Sequence, residues 1–174
     1  MVKSYVGFWQ RVKAFMWDYL VIAGYIVIIT IMLWLIHASE WLFTNRIQAQ
    51  ISAFLLLTFP VILYFSILES SAQQATWGKH KAGLRVIDQN GSRISFVRAL
   101  ARTLLKFIPW EISHTLIWEI TFSPQTNSLL INIGFSLVYL LIGLNVVSLL
   151  ITKTHQTIYD LLTKTFVEKR TQRS

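Results

Sequence analysis

Charged side chains at helical spacing inside apolar segments are the residues of this sequence that could perform chemistry. Arg11 and Asp18 are separated by close to two helical turns, which places both side chains on one face of the first apolar segment. Asp18 lies well inside the apolar boundary, where an unpaired carboxylate is costly, so it is a candidate functional group. Arg11 can extend its guanidinium to the membrane interface. The two charges fit a purely structural role at a helix end equally well.

A second set of ionisable side chains lies in a later apolar segment, residues 103–122. Glu111, His114 and Glu119 become intramembrane groups if this segment crosses a bilayer, at a cost of at least about 2.5 kcal/mol for each central carboxylate. Glu111 and His114 also have the i, i+3 spacing of carboxylate metal sites in helical bundles. No second helix supplies matching ligands, so the sequence predicts no metal site.

Four apolar segments must position these groups. Residues 19–36, 51–68 and 129–152 contain no charged side chain, and each approaches or exceeds the roughly 20 residues of a spanning helix. Pro60 removes a backbone hydrogen bond from the second segment and should kink it. With their helical flanks, the predicted spans are about 14–36, 51–68, 103–122 and 129–152.

The basic residues predict the orientation of these spans. With four crossings, every Lys and Arg except Arg46 lies on the side that both termini share. The positive-inside rule therefore places both termini, the segment 69–102 and the tail 153–174 in the cytoplasm of a multi-pass plasma-membrane protein. An odd number of crossings would move the basic tail outside, so 103–122 is predicted to cross in spite of its charges.

The composition excludes several classes of protein. A chain of 174 residues that is 54% hydrophobic and 14% charged has too few charges to cover a soluble globule, and we expect one membrane domain over residues 1–174. The net charge of +8 flanks the apolar spans, which favours the anionic headgroups of a lipid bilayer over nucleic acid. No nucleophile is paired with a base, and no spaced glycines form a phosphate loop. We therefore expect neither an enzyme nor a cofactor.

The central polar segment predicts two small elements. Residues 84–88 and 92–96 are rich in β-forming side chains around Asn90 and Gly91, the dipeptide that favours a tight turn, which indicates a cytoplasmic β-hairpin. Ser95 can cap a following helix. The predicted fold is thus an all-α membrane protein with four transmembrane helices, a small cytoplasmic β-hairpin and an interfacial amphipathic helix.

The interfacial helix is predicted from a stripe of cations. Arg98, Arg102 and Lys106 recur every four residues, and apolar side chains cover much of the opposite face. This pattern is typical of a helix that lies on the membrane surface. Pro109 should bend or restart the helix before the chain enters the membrane.

Three motifs, in order along the chain, resemble one protein family. The first is Gly7-Phe-Trp-Gln-Arg11 followed by Ala14 and Asp18. The second runs from Thr76-Trp-Gly-Lys79 through Gly83-Leu-Arg-Val86 and Asn90-Gly91 to Arg98-Ala-Leu-Ala-Arg102. The third is His155-Gln-Thr-Ile-Tyr-Asp160 followed by residues 165–167. Together they resemble the RDD family of membrane proteins, which is named for one arginine and two aspartates.

The resemblance implies a set of site residues. Arg11, Asp18 and Asp160 match the arginine and the two aspartates of the family pattern. The secondary matches are Gly78, Lys79, Gly83 and Arg102. Trp77 stands where family members often have proline, and Glu111 and Glu119 are outside the pattern and inherit no role from it. For function, the resemblance implies transport of a small ion or solute, with ion antiport suggested for some members.

Two interpretations of these residues remain open. In one, Asp160 returns to the start of the first helix and pairs with Arg11, while Asp18 finds a partner such as Arg102 or carries a proton in cation exchange. In the other, the buried network only fixes the tail to the bundle, and the protein is an adaptor or regulator of another membrane protein. Because four helices enclose little space, a transporter of this size would need a homodimer.

Overall fold

Helices account for most of the computed structural model, which describes residues 5–170. Eight α-helices, a π-helical turn and two short strands follow one another in this part of the chain. They are α1 (Phe8–Leu35), α2 (Ser39–Leu42), α3 (Arg46–Ala53), the π turn (Phe54–Thr58), α4 (Phe59–Glu69), α5 (Trp77–Lys81), β1 (Leu84–Asp88), α6 (Phe96–Phe122), α7 (Ser128–Ile151), α8 (Ile158–Thr163) and β2 (Thr165–Lys169).

Three of these helical stretches are long and apolar enough to cross a membrane. They are Phe8–Leu35, Arg46–Glu69 and Ser128–Ile151. The second begins five residues earlier than the predicted start at residue 51, because the side chain of Asn45 accepts a hydrogen bond from the Gln48 amide at 3.0 Å and caps α3. The predicted loop before it is therefore shorter and contains α2.

The second span is interrupted where the sequence places a proline. Pro60 has no amide hydrogen, so the carbonyl of Leu56 loses its usual helical donor. The hydroxyl of Tyr25 on α1 donates to that carbonyl at 2.6 Å. The π turn, Phe54–Thr58, ends just before Pro60. Such π-helical turns occur mostly as single-turn bulges inside α-helices. The hydrogen bond from Tyr25 therefore joins α1 to the second span at the interruption.

The prediction of a separate interfacial helix is wrong. α6 continues through Pro109 as one helix of 27 residues, and its packing against α4 and α7 supports it on both sides of the proline. The cation stripe also faces a different environment from the one predicted. Arg102 is 2% exposed and points into the protein, whereas Arg98 at the start of the helix is exposed. Ser95 does cap the helix, accepting from the Arg98 amide at 3.3 Å.

The predicted β-hairpin is also wrong, although one of its strands and its turn are present. Gly91 has a φ of 81°, and the carboxylate of Asp88 accepts from the amides of Asn90 and Ser92 at 2.9 and 2.8 Å. Because the helix capped by Ser95 begins at once, too few residues remain for a returning strand. β1 pairs instead with β2 from the far end of the chain, antiparallel, with Leu84 opposite Lys169.

The sheet lies at one end of the helical bundle, which we call the sheet end. Val6 donates its amide to the carbonyl of Val167 at 3.2 Å, so the residues directly before α1 lie beside β2. Val6, Leu84, Val86 and Val167 are buried there with Ala14 of α1 and Ala99 of α6. The opposite end, with α2 and the connection between α6 and α7, is called the loop end. α5 and α8 also lie at the sheet end, in contact with α1 and α6 respectively.

Candidate functional site

Asp160 is the centre of an ion-pair network at the sheet end. It is fully buried, and one of its carboxylate oxygens lies 2.7 Å from Nη1 of Arg11. The other accepts from Nε of Arg102 at 2.8 Å. The predicted pairing of Asp160 with Arg11 is thus present, and Arg102 joins the same acid rather than Asp18.

Glu69 extends this network to the second span. Its carboxylate is fully buried at the end of α4, accepting from Nη1 of Arg102 at 2.6 Å and pairing with Lys79 of α5. In the sequence, Glu69 directly follows the charge-free segment 51–68. Arg102 therefore bridges two buried acids that come from opposite parts of the chain.

The charges of this network determine its ionisation. Burial acts to raise the pKa of Asp160, but the neighbouring Arg102 and Arg11 outweigh it and hold that pKa well below its ordinary value. Burial acts to lower the pKa of Arg102, while Asp160 and Glu69 raise it above its ordinary value. Burial lowers the pKa of Lys79 in spite of Glu69 beside it. The carboxylate of Asp160 and the guanidinium of Arg102 therefore both remain in their charged forms.

Local structure fixes the position of Asp160. Thr157 caps α8 by accepting from the Asp160 amide at 3.3 Å, and the Asp160 carboxylate accepts from the Thr157 amide at 3.4 Å. This reciprocal capping box orients the carboxylate toward the first turn of its own helix. Nη2 of Arg11 donates to the carbonyl of His155 at 2.6 Å, just before the cap. One short helix thus presents both an acid and a backbone acceptor to α1.

Asp18 is buried beside this network and has uncharged partners. Tyr64 donates to it at 2.8 Å, the hydroxyl of Thr76 at 2.6 Å, and the amide of Gly78 at 2.8 Å. The expectation of a partner such as Arg102 is wrong for Asp18. The donors come from α4 and from the start of α5, so the carboxylate joins α1 to both elements.

Glycine is required at Gly78 and at Gly83, the two glycines among the secondary family matches, for different physical reasons. A β-carbon on Gly78 would lie 2.1 Å from the carbonyl oxygen of Ala14 and 2.7 Å from Cγ of Asp18, so only glycine allows α5 to approach α1. Gly83 has a φ of +68°, a conformation that other residues seldom adopt, and it turns the chain from α5 into β1.

A cavity of about 270 Å³ adjoins these groups. Arg11 and Asp18 of α1, Lys79 of α5, and Arg102 and Lys106 of α6 contribute to its wall. Apolar side chains of α1 and α7 form half of the remainder, including Phe15, Ile142 and Val146. The volume is just below the roughly 300–1,000 Å³ of typical small-molecule pockets, so the cavity suits a small ion or a compact solute.

Ionisable residues at the loop end form a smaller and more open set. Arg46 pairs with Glu119, and Glu111 accepts from Thr58 of the π turn and from Gln50 at 3.2 Å. Nδ1 of His114 lies 3.5 Å from Glu111. Glu111, His114 and Glu119 follow Arg102 on α6 by two and a half to nearly five helical turns, and the structure does not bring them into the sheet-end network.

Sequence analysis did not assign four residues to the sheet-end site that the structure places there: Tyr64, Glu69, Thr76 and Lys106. Glu69 had a usable signal, because an acid that directly ends a charge-free span lies at the depth where Arg11 was placed. Thr76 begins the second family motif. Tyr64 had no signal, since a tyrosine in an apolar span is typical of a lipid-facing anchor.

Long apolar helices with a buried ion-pair network at one end define this chain as an integral membrane protein. A family model described as the RDD family matches residues 5–164, and the chain belongs to that family.

A relative has been found among curated proteins. The chain is 26% identical over 108 residues to "Uncharacterized protein YxaI" of Bacillus subtilis (strain 168), which covers 55% of this chain and 72% of the relative. No solved structure matches the chain.

Proposed function

We propose that this RDD-family protein is a transporter of a small ion or solute, and that the cavity at the sheet end is its binding site. The observation that carries the proposal is the position of the cavity: it lies within the helical bundle, and its wall combines Asp18 with four cationic side chains. Ionisable groups inside a membrane protein face a pathway or a partner far more often than they face lipid. Arg11 and Asp160 then form the electrostatic gate at the floor of the site, and Arg102 supports them.

The proposal includes an orientation. α6 provides a fourth crossing, at about 103–122, which places both termini, the sheet end and the basic tail in the cytoplasm of a cell bounded by the plasma membrane. Every Lys and Arg except Arg46 then lies on the cytoplasmic side. The loop end, including Arg46 and Glu119, faces outward.

Cysteine accessibility tests this orientation. The chain has no cysteine, so a single Gln125→Cys substitution between α6 and α7 gives an unambiguous label site. We expect a membrane-impermeant maleimide to label Gln125→Cys from outside intact cells. Asn90→Cys in the turn after β1 is the matched control and should label only after the cells are opened. Labelling of Gln125→Cys only in opened cells would reject the fourth crossing.

A flux assay tests transport itself. Purified protein in liposomes is given separate inward gradients of sodium, potassium, chloride and phosphate, and proton movement and tracer uptake are recorded. Val146→Trp fills the cavity, whereas Val147→Trp adds the same side chain at the neighbouring position, which is 49% exposed on the lipid-facing surface. We expect flux with at least one gradient, its loss in Val146→Trp, and its retention in Val147→Trp.

Exchange of a cation for protons is the finer form of this proposal. It requires a carboxylate that changes protonation during each cycle, and Asp18 is the group that we assign to it. Asp18→Asn should then abolish cation-driven proton flux, while Glu111→Gln at the loop end should retain it. Retained flux in Asp18→Asn would remove Asp18 from the transport step.

A non-transporting adaptor is the second candidate, and a specific observation favours it. Glu69 and Asp160 are each already paired with two cations from different elements, as expected for a network that only holds the fold together. Absence of flux with every gradient, together with stoichiometric co-purification of one membrane protein, would support the adaptor. A transporter would also need a homodimer to complete a path across the bilayer, so a monomer in native mass spectrometry would count against transport.

A further inference from the structure

We propose that the cavity at the sheet end binds the anionic headgroup of an acidic phospholipid, with Lys106 as the residue that selects for negative charge. The inference rests on the proposed function only in using the same cavity. It adds the class of solute and the route by which it enters.

The first step is the balance of charge around the cavity. Arg11 and Arg102 pair with Asp160, and Arg102 and Lys79 pair with Glu69. Asp18 is satisfied by uncharged donors. With Lys106, the cavity wall and the network beside it contain four cationic side chains and three carboxylates, a formal excess of one positive charge.

Lys106 is the cation of this set that has no ion-pair partner in the described chain. Its Nζ lies 3.5 Å from the centre of the Phe65 ring and 5.6 Å from that of Phe107. Within residues 5–170 no carboxylate lies at ion-pairing distance from it. Aromatic faces attract a cation but do not neutralise it, so an ammonium in this wall attracts an anion into the cavity.

The second step is the position of the cavity mouth. Phe15 of α1 and Ile142 of α7 line the cavity and are also 48% exposed, so they lie at its rim. Both residues belong to helices that are apolar enough to cross a membrane. The mouth therefore opens sideways between α1 and α7, toward lipid, at the depth of the leaflet next to the sheet end.

The third step is the shape of a molecule that fits both surfaces. About 270 Å³ accommodates a headgroup but not acyl chains. The rim is apolar on both sides, which suits acyl chains that remain in the bilayer. Asn145 in the cavity wall has a buried Oδ1 without a hydrogen-bond partner in the described chain, and this oxygen can accept from a headgroup hydroxyl. An acidic phospholipid with a hydroxylated headgroup satisfies the charge, the lateral mouth and this acceptor together.

Binding is measured with purified protein in a neutral detergent, by native mass spectrometry with short-chain lipids. The probes are dioctanoyl phosphatidylglycerol, dioctanoyl phosphatidylcholine with the same chains and no net charge, and inorganic phosphate. Lys106→Met removes the charge and keeps the length of the side chain, and Lys153→Met makes the same change in net charge at an exposed position. We expect the wild-type protein to prefer phosphatidylglycerol, a loss of at least about tenfold in affinity in Lys106→Met, and no change in Lys153→Met.

Several results would overturn the inference. Equal binding of phosphatidylcholine would remove selection for charge. Binding of inorganic phosphate as strong as that of phosphatidylglycerol would identify a water-soluble anion as the ligand. An equal loss in both lysine variants would indicate surface attraction alone, and unchanged binding in Lys106→Met would remove that residue from the site.

The outcome can be separated from that of the flux assay. Binding of phosphatidylglycerol that is lost in Lys106→Met, in a protein with no flux under any gradient, would support the lipid site and reject transport of the four ions tested. Flux that Val146→Trp abolishes, without selective lipid binding, would support transport and reject the lipid. If Lys106→Met fails to fold, Val146→Trp serves as the second binding variant and should also lose phosphatidylglycerol.

Discussion

The two ends of the bundle use the same side-chain types in different ways. At the sheet end, Glu69 and Asp160 are 0% exposed, and each pairs with two cations. At the loop end, Glu119 has a 20% exposed side chain and pairs with Arg46, whose side chain is 49% exposed. The first arrangement needs several elements to meet, whereas the second needs only two side chains to reach each other.

Hydrogen bonding shows the same difference. Every carboxylate of the sheet-end network is satisfied, and the one unsatisfied buried atom near it in the described chain is Oδ1 of Asn145, in the cavity wall. At the loop end, by contrast, Gln50, His114 and Trp118 each leave a buried polar atom without a partner in the part of the chain described. A fully satisfied buried network is rigid and specifies one arrangement of its elements. We infer that the sheet end fixes the tertiary structure.

Removing Arg102 should have the largest effect on stability. Arg102→Met leaves both Glu69 and Asp160 with one cation fewer in a buried site, and loss of a partner of this kind costs about 3–5 kcal/mol. Arg46→Met removes the exposed partner of Glu119 and should change stability little. The measurement is unfolding of each purified variant in mixed micelles with rising dodecyl sulfate, followed by circular dichroism.

A second variant keeps this prediction testable if Arg102→Met does not accumulate. Arg102→Lys retains the charge but cannot reach both acids with a planar fork, so it should be intermediate between the wild type and Arg102→Met. Equal losses in Arg46→Met and Arg102→Lys would mean that burial does not distinguish the two ends.

Gly78→Ala should have the next largest effect, because it changes packing without changing charge. The added methyl group would meet the Ala14 carbonyl and the Asp18 carboxylate, and overpacking of this kind costs about 1–3 kcal/mol. Gly24→Ala is the matched control in α1, since a β-carbon there meets nothing within 4 Å. The same unfolding assay should show destabilisation for the first variant only. Destabilisation of both would point to an effect on helices in general rather than on the contact of α5 with α1.

The difference between the ends also explains which features could be predicted from the sequence. The pairing of Arg11 with Asp160 could be proposed as one of two interpretations because the family resemblance singles out these two residues together, and a charge near the membrane needs a partner. The spans were accessible because a charge-free run of this length has few alternatives to a spanning helix. The prediction of the spans uses only the local cost of exposing or burying a group, whereas the pairing also needs the resemblance.

Features that depend on distant contacts could not be obtained in this way. β1 has the composition of a hairpin strand, and only the fold shows that residues 165–169 supply its partner. Pro109 would end an isolated helix, but the neighbouring helices support α6 through it. Asp18 gave no indication of whether its donors would be charged, because the nearest hydroxyls come from α4 and from the loop before α5.

Protonation of Asp160 in acid should destabilise the sheet end. The change in the free energy of unfolding for each pH unit should be smaller than the effects of the substitutions above. The folded protein holds the pKa of Asp160 below its ordinary value, which is about 3.9 when the chain is unfolded. The carboxylate therefore contributes its full stabilisation above about pH 4, and this contribution is lost as the pH falls through the folded pKa. The free energy of unfolding should decrease by up to about 1.4 kcal/mol for each pH unit for this one group. Asp160→Asn should be less stable near neutral pH and flatter below pH 4.

A matched variant separates this effect from acid denaturation in general. Glu40→Gln removes one carboxylate with a 76% exposed side chain near the loop end, and it should retain the wild-type dependence on pH. Unfolding curves at successive pH values between about 6 and 2 give the comparison. If Asp160→Asn kept the full acid sensitivity of the wild type, the buried pairs with Arg11 and Arg102 would not be the groups through which acid acts. The distinction between the two ends would then rest on packing alone.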